Sequence, residues 1–114
     1  MFLNKWKKKK RIELVRLIDN GFEVIYDETA TLFSWIEIDK LIGFKIDRFT
    51  TDDICLKIES GNKFAIISEE FDGWRIFMNE LLNRFPTIDK NWEGIISYPA
   101  FERNETELYN RMTN

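Results

Sequence analysis

Ile54–Phe85 reads ICLKIESGNKFAIISEEFDGWRIFMNELLNRF, and within it the spacing of the apolar residues changes once. Ile54, Leu56 and Ile58 alternate with Cys55, Lys57 and Glu59, the period of two that gives a strand one apolar and one polar face. Ser60-Gly61-Asn62-Lys63 has turn chemistry, and Phe64–Ser68 returns as the second strand of a hairpin. After Asp72 the period lengthens: Trp74, Phe77, Met78, Leu81, Leu82 and Phe85 recur at spacings of three and four, and Pro86 ends the run. The stretch predicts an amphipathic helix over Gly73–Arg84, with Asp72 as N-cap, covering an antiparallel sheet. That combination is an α+β fold.

Working back from this stretch, Arg11–Ile18 is an imperfect alternation rich in β-formers, with Ile12, Leu14 and Arg16 opposing Glu13, Val15 and Leu17. Asp19-Asn20-Gly21 follows, and Asn-Gly between two apolar runs is a strong hairpin signal. Phe22, Val24 and Tyr26 alternate with Glu23, Ile25 and Asp27, and a turn at Glu28-Thr29 leads to a third strand around Thr31–Trp35. Trp35–Leu41 fits either one helical turn or a bulged connection. In the next strand Ile42, Phe44 and Ile46 alternate with Gly43, Lys45 and Asp47, and Thr50-Thr51-Asp52-Asp53 is a polar turn.

Working forward, Ile88–Ser97 is a shorter helical segment with Thr87 as its cap, Trp92, Ile95 and Ile96 as contacts and Pro99 as its stop. Ala100–Asn114 reads as a tail that docks in part through Phe101, Leu108 and Tyr109, with Arg111–Asn114 frayed. Residues 1–10 read as a basic leader and 11–114 as a single domain.

At 114 residues, 44% hydrophobic and 32% charged, the chain has the size and composition of one globular domain. Its formal charge of −3 conceals an asymmetry. Lys5, Lys7, Lys8, Lys9, Lys10 and Arg11 hold six of the 17 bases, leaving eleven against 20 acids, a balance of −9 for the remainder. An acidic body opposes nucleic-acid binding.

The sequence contains no histidine and a single cysteine, Cys55. This removes His-dependent serine and cysteine hydrolases, imidazole-bound zinc, thiolate clusters and intrachain disulfides. The basic leader lacks the apolar run of about 7–15 residues that a secretory signal carries. No stretch reaches the length of a membrane span. The expected location is cytoplasmic.

The remaining candidate features each have a plainer explanation. Asp52, Asp53, Glu69 and Asp72 are carboxylates near strand ends that could hold a hard cation or exchange protons, but their spacing is not that of a calcium loop, and turns and caps account for them. Cys55 falls on the polar face of its strand, with Lys57 as the nearest cation in sequence, and reads as half-buried packing. Trp35, Trp74 and Trp92 read as core residues. Trp6, Lys7, Lys8, Lys9, Lys10 and Arg11, preceded by Phe2 and Leu3, could touch an anionic membrane at about 1 kcal/mol per base, against the charge of the body. No phosphate-binding loop or dinucleotide fingerprint is present.

The order of elements, several antiparallel strands and then a capping helix, resembles the pleckstrin-homology-like barrel. Phe33-Ser34-Trp35-Ile36-Glu37-Ile38 resembles a stretch of its bacterial members, and Glu69-Glu70-Phe71-Asp72-Gly73-Trp74 resembles their approach to the helix. A narrower resemblance is to a family of small uncharacterised bacterial proteins. It is carried by Phe49-Thr50-Thr51-Asp52-Asp53-Ile54-Cys55-Leu56, by Gly73-Trp74, and by Tyr98-Pro99-Ala100-Phe101-Glu102-Arg103-Asn104-Glu105-Thr106-Glu107-Leu108-Tyr109, and it extends over about Ile12 to Arg111. The resemblance implies a bent antiparallel sheet or partly open barrel of about six to seven strands, capped by a helix, with a short second helix and a C-terminal tail. It implies no site. Pleckstrin-homology-like domains that bind inositol phosphates use basic residues in the first hairpin loop, where this chain has Asp19-Asn20-Gly21.

These readings favour a non-catalytic module that binds a protein partner, with no catalytic, cofactor or metal residues and an open oligomeric state. Three alternatives stand beside it: an immunity protein whose acidic surface steers a basic toxin, a carboxylate-dependent metal-binding protein or enzyme, and a peripheral membrane protein held by the leader.

Overall fold

The structure is a computed structural model that describes residues 11–47, 51–99 and 104–113. Trp6 and Lys7–Lys10, together with the rest of the leader, lie outside the described residues, as do Phe49 and Phe101.

The chain is α+β. Strands β1 (Glu13–Ile18), β2 (Gly21–Tyr26) and β3 (Thr29–Ser34) form one sheet, in the order β1-β2-β3. Strands β4 (Lys40–Asp47), β5 (Asp52–Ser60), β6 (Lys63–Ser68) and β7 (Asn104–Asn110) form a second, in the order β6-β5-β4-β7. Every pairing between strands is antiparallel, and the two sheets are not closed into a barrel. Helices α1 (Trp74–Arg84) and α2 (Trp92–Ile96) complete the fold, and no helix among the described residues is long and apolar enough to cross a membrane.

The hairpins follow from turn chemistry. Ile18 pairs with Gly21, so the first loop is Asp19-Asn20, and Asn20 takes the left-handed conformation at φ 60° that asparagine tolerates. Ser60 pairs with Lys63 around Gly61-Asn62. Trp35–Glu37, open between two readings in the sequence, is a single 3-10 turn, and the next strand starts at Lys40.

One core joins both sheets to the helices. Phe22 stacks on Phe33 at 5.0 Å between ring centres and meets Trp35 at 4.7 Å and Phe77 of α1 at 4.8 Å. The helix turns Trp74, Phe77, Met78 and Leu81 inward, the face its spacing predicts, and Trp35, Trp74 and Trp92 are all buried as expected. Each such side chain removed from water contributes about 1.5–3 kcal/mol.

The start of α1 differs from its sequence reading. Asp72 is not the N-cap: its N–H donates to the Glu13 carbonyl at 3.0 Å and its own carbonyl accepts from Val15 N–H at 2.9 Å, a short parallel bridge onto β1. The cap is Gly73, at φ 87°, and a Cβ placed there would stand 2.1 Å from the Val15 carbonyl oxygen. Glycine is required both by the backbone conformation and by the close approach of β1. Gly73→Ala should therefore lower stability by about 2–3 kcal/mol, read as a fall in the urea midpoint at constant slope. An unchanged midpoint would show that the contact with β1 is dispensable.

The strand β4 is inverted relative to the expectation from its apolar residues. Leu41, Gly43 and Lys45 face the core, while Ile42, Phe44 and Ile46 occupy the other face and are half-buried. The second helix is also shorter than Ile88–Ser97. The Asp89 carboxylate accepts the Asn91 N–H at 2.8 Å, holding 87–91 in turns, so helix begins at Trp92 with Asn91, not Thr87, as its cap.

The tail expected from Ala100 contains a strand. Leu41 pairs with Tyr109 and Ile42 with Glu107, which leaves Leu108 as an extra residue in β7. That bulge lets Leu108 and Tyr109 both pack on the core, with Tyr109 edge-on to Phe85 at 4.6 Å. Arg111, expected to fray, donates its N–H to the Asp39 carbonyl at 2.9 Å.

Candidate functional site

After Pro86 the chain crosses to α2, whose position is fixed at three places. The Trp92 ring lies against Gly43 of β4, so closely that a Cβ there would be 2.5 Å from it. The Glu93 carboxylate accepts from Trp74 Nε1 at 3.1 Å and from both terminal nitrogens of Arg75 at 3.0 and 2.9 Å, tying α2 to α1. Those hydrogen bonds to Glu93 raise the Arg75 pKa above the ordinary arginine value; partial desolvation opposes the shift, and the charges of Glu93 and Glu69 add to it. The third anchor is at the end of α2. Asn104 Nδ2 donates to the Ile96 and Tyr98 carbonyls at 3.4 and 3.2 Å, and Lys45 Nζ donates to the Ser97 carbonyl at 3.1 Å and to the Pro99 carbonyl. The Tyr98–Pro99 peptide is cis.

Lys45 is wholly buried, and Asp52 Oδ2 lies 3.5 Å from its ammonium. A buried ammonium is tolerable only with such partners. Sequence reasoning missed this residue, because a lysine between Phe44 and Ile46 reads as solvent-facing.

Between α2 and β7 these anchors hold open a cleft of about 380 Å³. Buried Ile88, Trp92 and Ile96 line it with half-buried Leu108, while Ile95, 54% exposed, stands at its mouth. Among the described residues, Asp89, Glu105 and Glu107 are the charged ones of the lining. The other wall is β7 itself, which among the described residues has β4 on one side and no strand on the other. Among the described residues, the backbone groups of Glu105–Leu108 make no hydrogen bond beyond the ladder with β4. An apolar cleft thus runs beside an open strand edge. A strand edge offers backbone hydrogen bonds, and the adjoining cleft offers burial to alternate side chains of an added strand.

The carboxylates singled out in the sequence do not converge. Asp52 faces Lys45, Glu69 accepts the Ile54 N–H at 2.8 Å, and Asp72 carries the bridge to β1. Among the described residues no three His, Cys, Asp or Glu side chains group to hold a metal ion. Glu70 and Asp72 border a larger hollow of about 600 Å³ with Arg11, Ile12 and Glu13, whose walls are mostly charged. Cys55 is 2% exposed, not half-buried: it sits opposite Phe44 and Ser68 on the far face of β5. Arg11 lies over the Tyr26 ring and 3.4 Å from Asp27. A second exposed apolar area, Leu32 of β3 with Phe64 and Ile66 of β6, is joined by Lys63, whose ammonium donates to the Leu32 carbonyl. Its hollows, of about 250 and 270 Å³, are smaller than the α2–β7 cleft, and among the described residues Phe33 is the one buried apolar side chain in their linings.

Compared with protein-family models, curated proteins and solved structures, the chain matches none.

Proposed function

We propose that this chain is a non-catalytic binding module that takes an extended segment of a partner protein along the open edge of β7. The observation that carries this reading is the coincidence of that edge with the apolar cleft floored by Ile88, Trp92 and Ile96. An added strand in register with β7 would hydrogen-bond to Glu105–Leu108 and place every second side chain in the cleft. Ordering such a strand costs entropy, so the apolar side chains that enter the cleft supply most of the affinity. The absence of histidine and the separation of the carboxylates support a binding role over catalysis.

The test uses a seven-residue peptide alternating threonine with valine and isoleucine, titrated into the labelled full chain. Saturable amide shifts should concentrate at Glu105–Leu108 and at Ile88–Ile96. Ile95→Asp should weaken binding at least tenfold, since one buried aliphatic side chain is worth about 1.5–3 kcal/mol. Because Ile95 is exposed in the free chain, the same substitution should move stability by no more than about 0.5–1 kcal/mol. Shifts centred instead on Leu32 and Phe64 would move the site to the β3 and β6 edges.

A further inference from the structure

The charges beside the cleft point to the chemistry of the segment that would lie in it. Glu105 and Glu107 are both exposed and two residues apart, so they point to the same side of β7, away from the half-buried Thr106 and Leu108. Asp89 is the other acidic residue of the lining, which among the described residues contains no lysine or arginine. Of the nearby bases, Lys90 is exposed beside Asp89, and Lys40 reaches Glu107 only at 3.9 Å, with both partners substantially exposed. Glu105 has no cationic partner among the described residues.

A strand added to this edge would set its own alternate residues directly across from Glu105 and Glu107, about 5 Å away, while the residues between them turn to the cleft. We infer that the partner segment alternates cationic with apolar side chains, its lysines or arginines facing Glu105 and Glu107 and its apolar residues entering the cleft over Trp92 and Ile96. This rests on the reading of the β7 edge as a strand-addition site and specifies which strands it selects. Opposite charges across a strand pair stabilise and like charges destabilise, so the edge discriminates by attraction to one class and repulsion of the other.

The experiment compares two seven-residue peptides with the same valine and isoleucine positions, one carrying lysine and the other glutamate at the alternate positions, against the full chain by fluorescence anisotropy. The lysine peptide should bind about tenfold more tightly at low salt, and the gap should narrow as the Debye length contracts towards about 3 Å at 1 M salt. Glu105→Gln with Glu107→Gln should narrow it likewise without altering the glutamate peptide's contacts in the cleft. Equal affinity for the two peptides overturns the charge inference and leaves strand addition standing. Binding by neither overturns both. Tight binding of the lysine peptide that survives both substitutions and high salt shows that other groups select it, and overturns the assignment to Glu105 and Glu107.

Discussion

Lys45→Ala is expected to cost about 3–5 kcal/mol of stability, enough to unfold a substantial fraction of a domain of ordinary marginal stability. Three losses combine. The Asp52 carboxylate keeps its desolvation but loses the ammonium 3.5 Å away, the Ser97 and Pro99 carbonyls lose their donor, and the lysine stem leaves a hole between β4 and α2. Asp52 keeps 17% of its side-chain exposure, and that residual water contact sets the expectation at the lower part of the range. Lys45→Met separates packing from charge, because it retains the stem and removes the ammonium. It should recover little by itself. Adding Asp52→Asn to Lys45→Met removes the carboxylate charge that faced the ammonium as well, and should recover at least half the loss. Chemical denaturation gives the three midpoints, and amide exchange across Trp92–Ile96 should accelerate more than across β5. If Lys45→Met were as stable as the native chain, the ammonium would not be what latches α2.

The difference between the face sequence assigns to Lys45 and the face it occupies shows where periodicity fails as a guide. In β5 the apolar period gives the right inner face, because Ile54, Leu56 and Ile58 all pack on the core. In β4 the larger apolar residues, Ile42, Phe44 and Ile46, occupy the outer face, and the inner face is Leu41-x-Gly43-x-Lys45. Glycine and lysine are there because α2 presses a tryptophan ring on one and the segment just after α2 turns the Ser97 and Pro99 carbonyls to the other, and both lie about fifty residues along the chain. No local pattern carries that requirement. The helix α1 was legible because its whole apolar face is local, whereas its cap was not: Gly73 is set by the approach of β1, and Asp72 is drawn into a bridge with the same strand. For β7 the obstacle is the bulge. Leu108 and Tyr109 are adjacent and both turn inward, which breaks the alternation that identifies a strand. The proposed cleft was therefore illegible in sequence, since one wall is that strand and its floor is the contact of Trp92 with an inverted β4. What sequence did supply was its chemistry: Trp92, Ile95 and Ile96 are contacts of a short helix, and the acidic balance of the body outside the leader stands behind the alternative of a basic protein partner.

Trp92→Ala is the other large expected effect, about 3–5 kcal/mol, since a buried indole that packs on Gly43 and Trp74 and forms part of the cleft floor is lost. The chemistry of the indole makes a sharper comparison possible. Its Nε1–H is buried and has no hydrogen-bond acceptor among the described residues, so removing it forfeits no hydrogen bond to them. Trp92→Phe removes that N–H while keeping an aromatic ring, and should cost no more than about 1–2 kcal/mol, well short of the alanine value. The space beside Gly43 supplies the second arm. Gly43→Ala sets a methyl group 2.5 Å from the Trp92 ring and should cost about 1–3 kcal/mol in the native background by overpacking. Combined with Trp92→Leu, whose side chain leaves that edge empty, the methyl group fills a void, and the double variant should be more stable than Trp92→Leu alone. Such a change of sign is what two residues sharing one volume give and independent residues do not. Additive losses would mean that Gly43 is required for its backbone and that α2 is positioned by Glu93 and Lys45 without it.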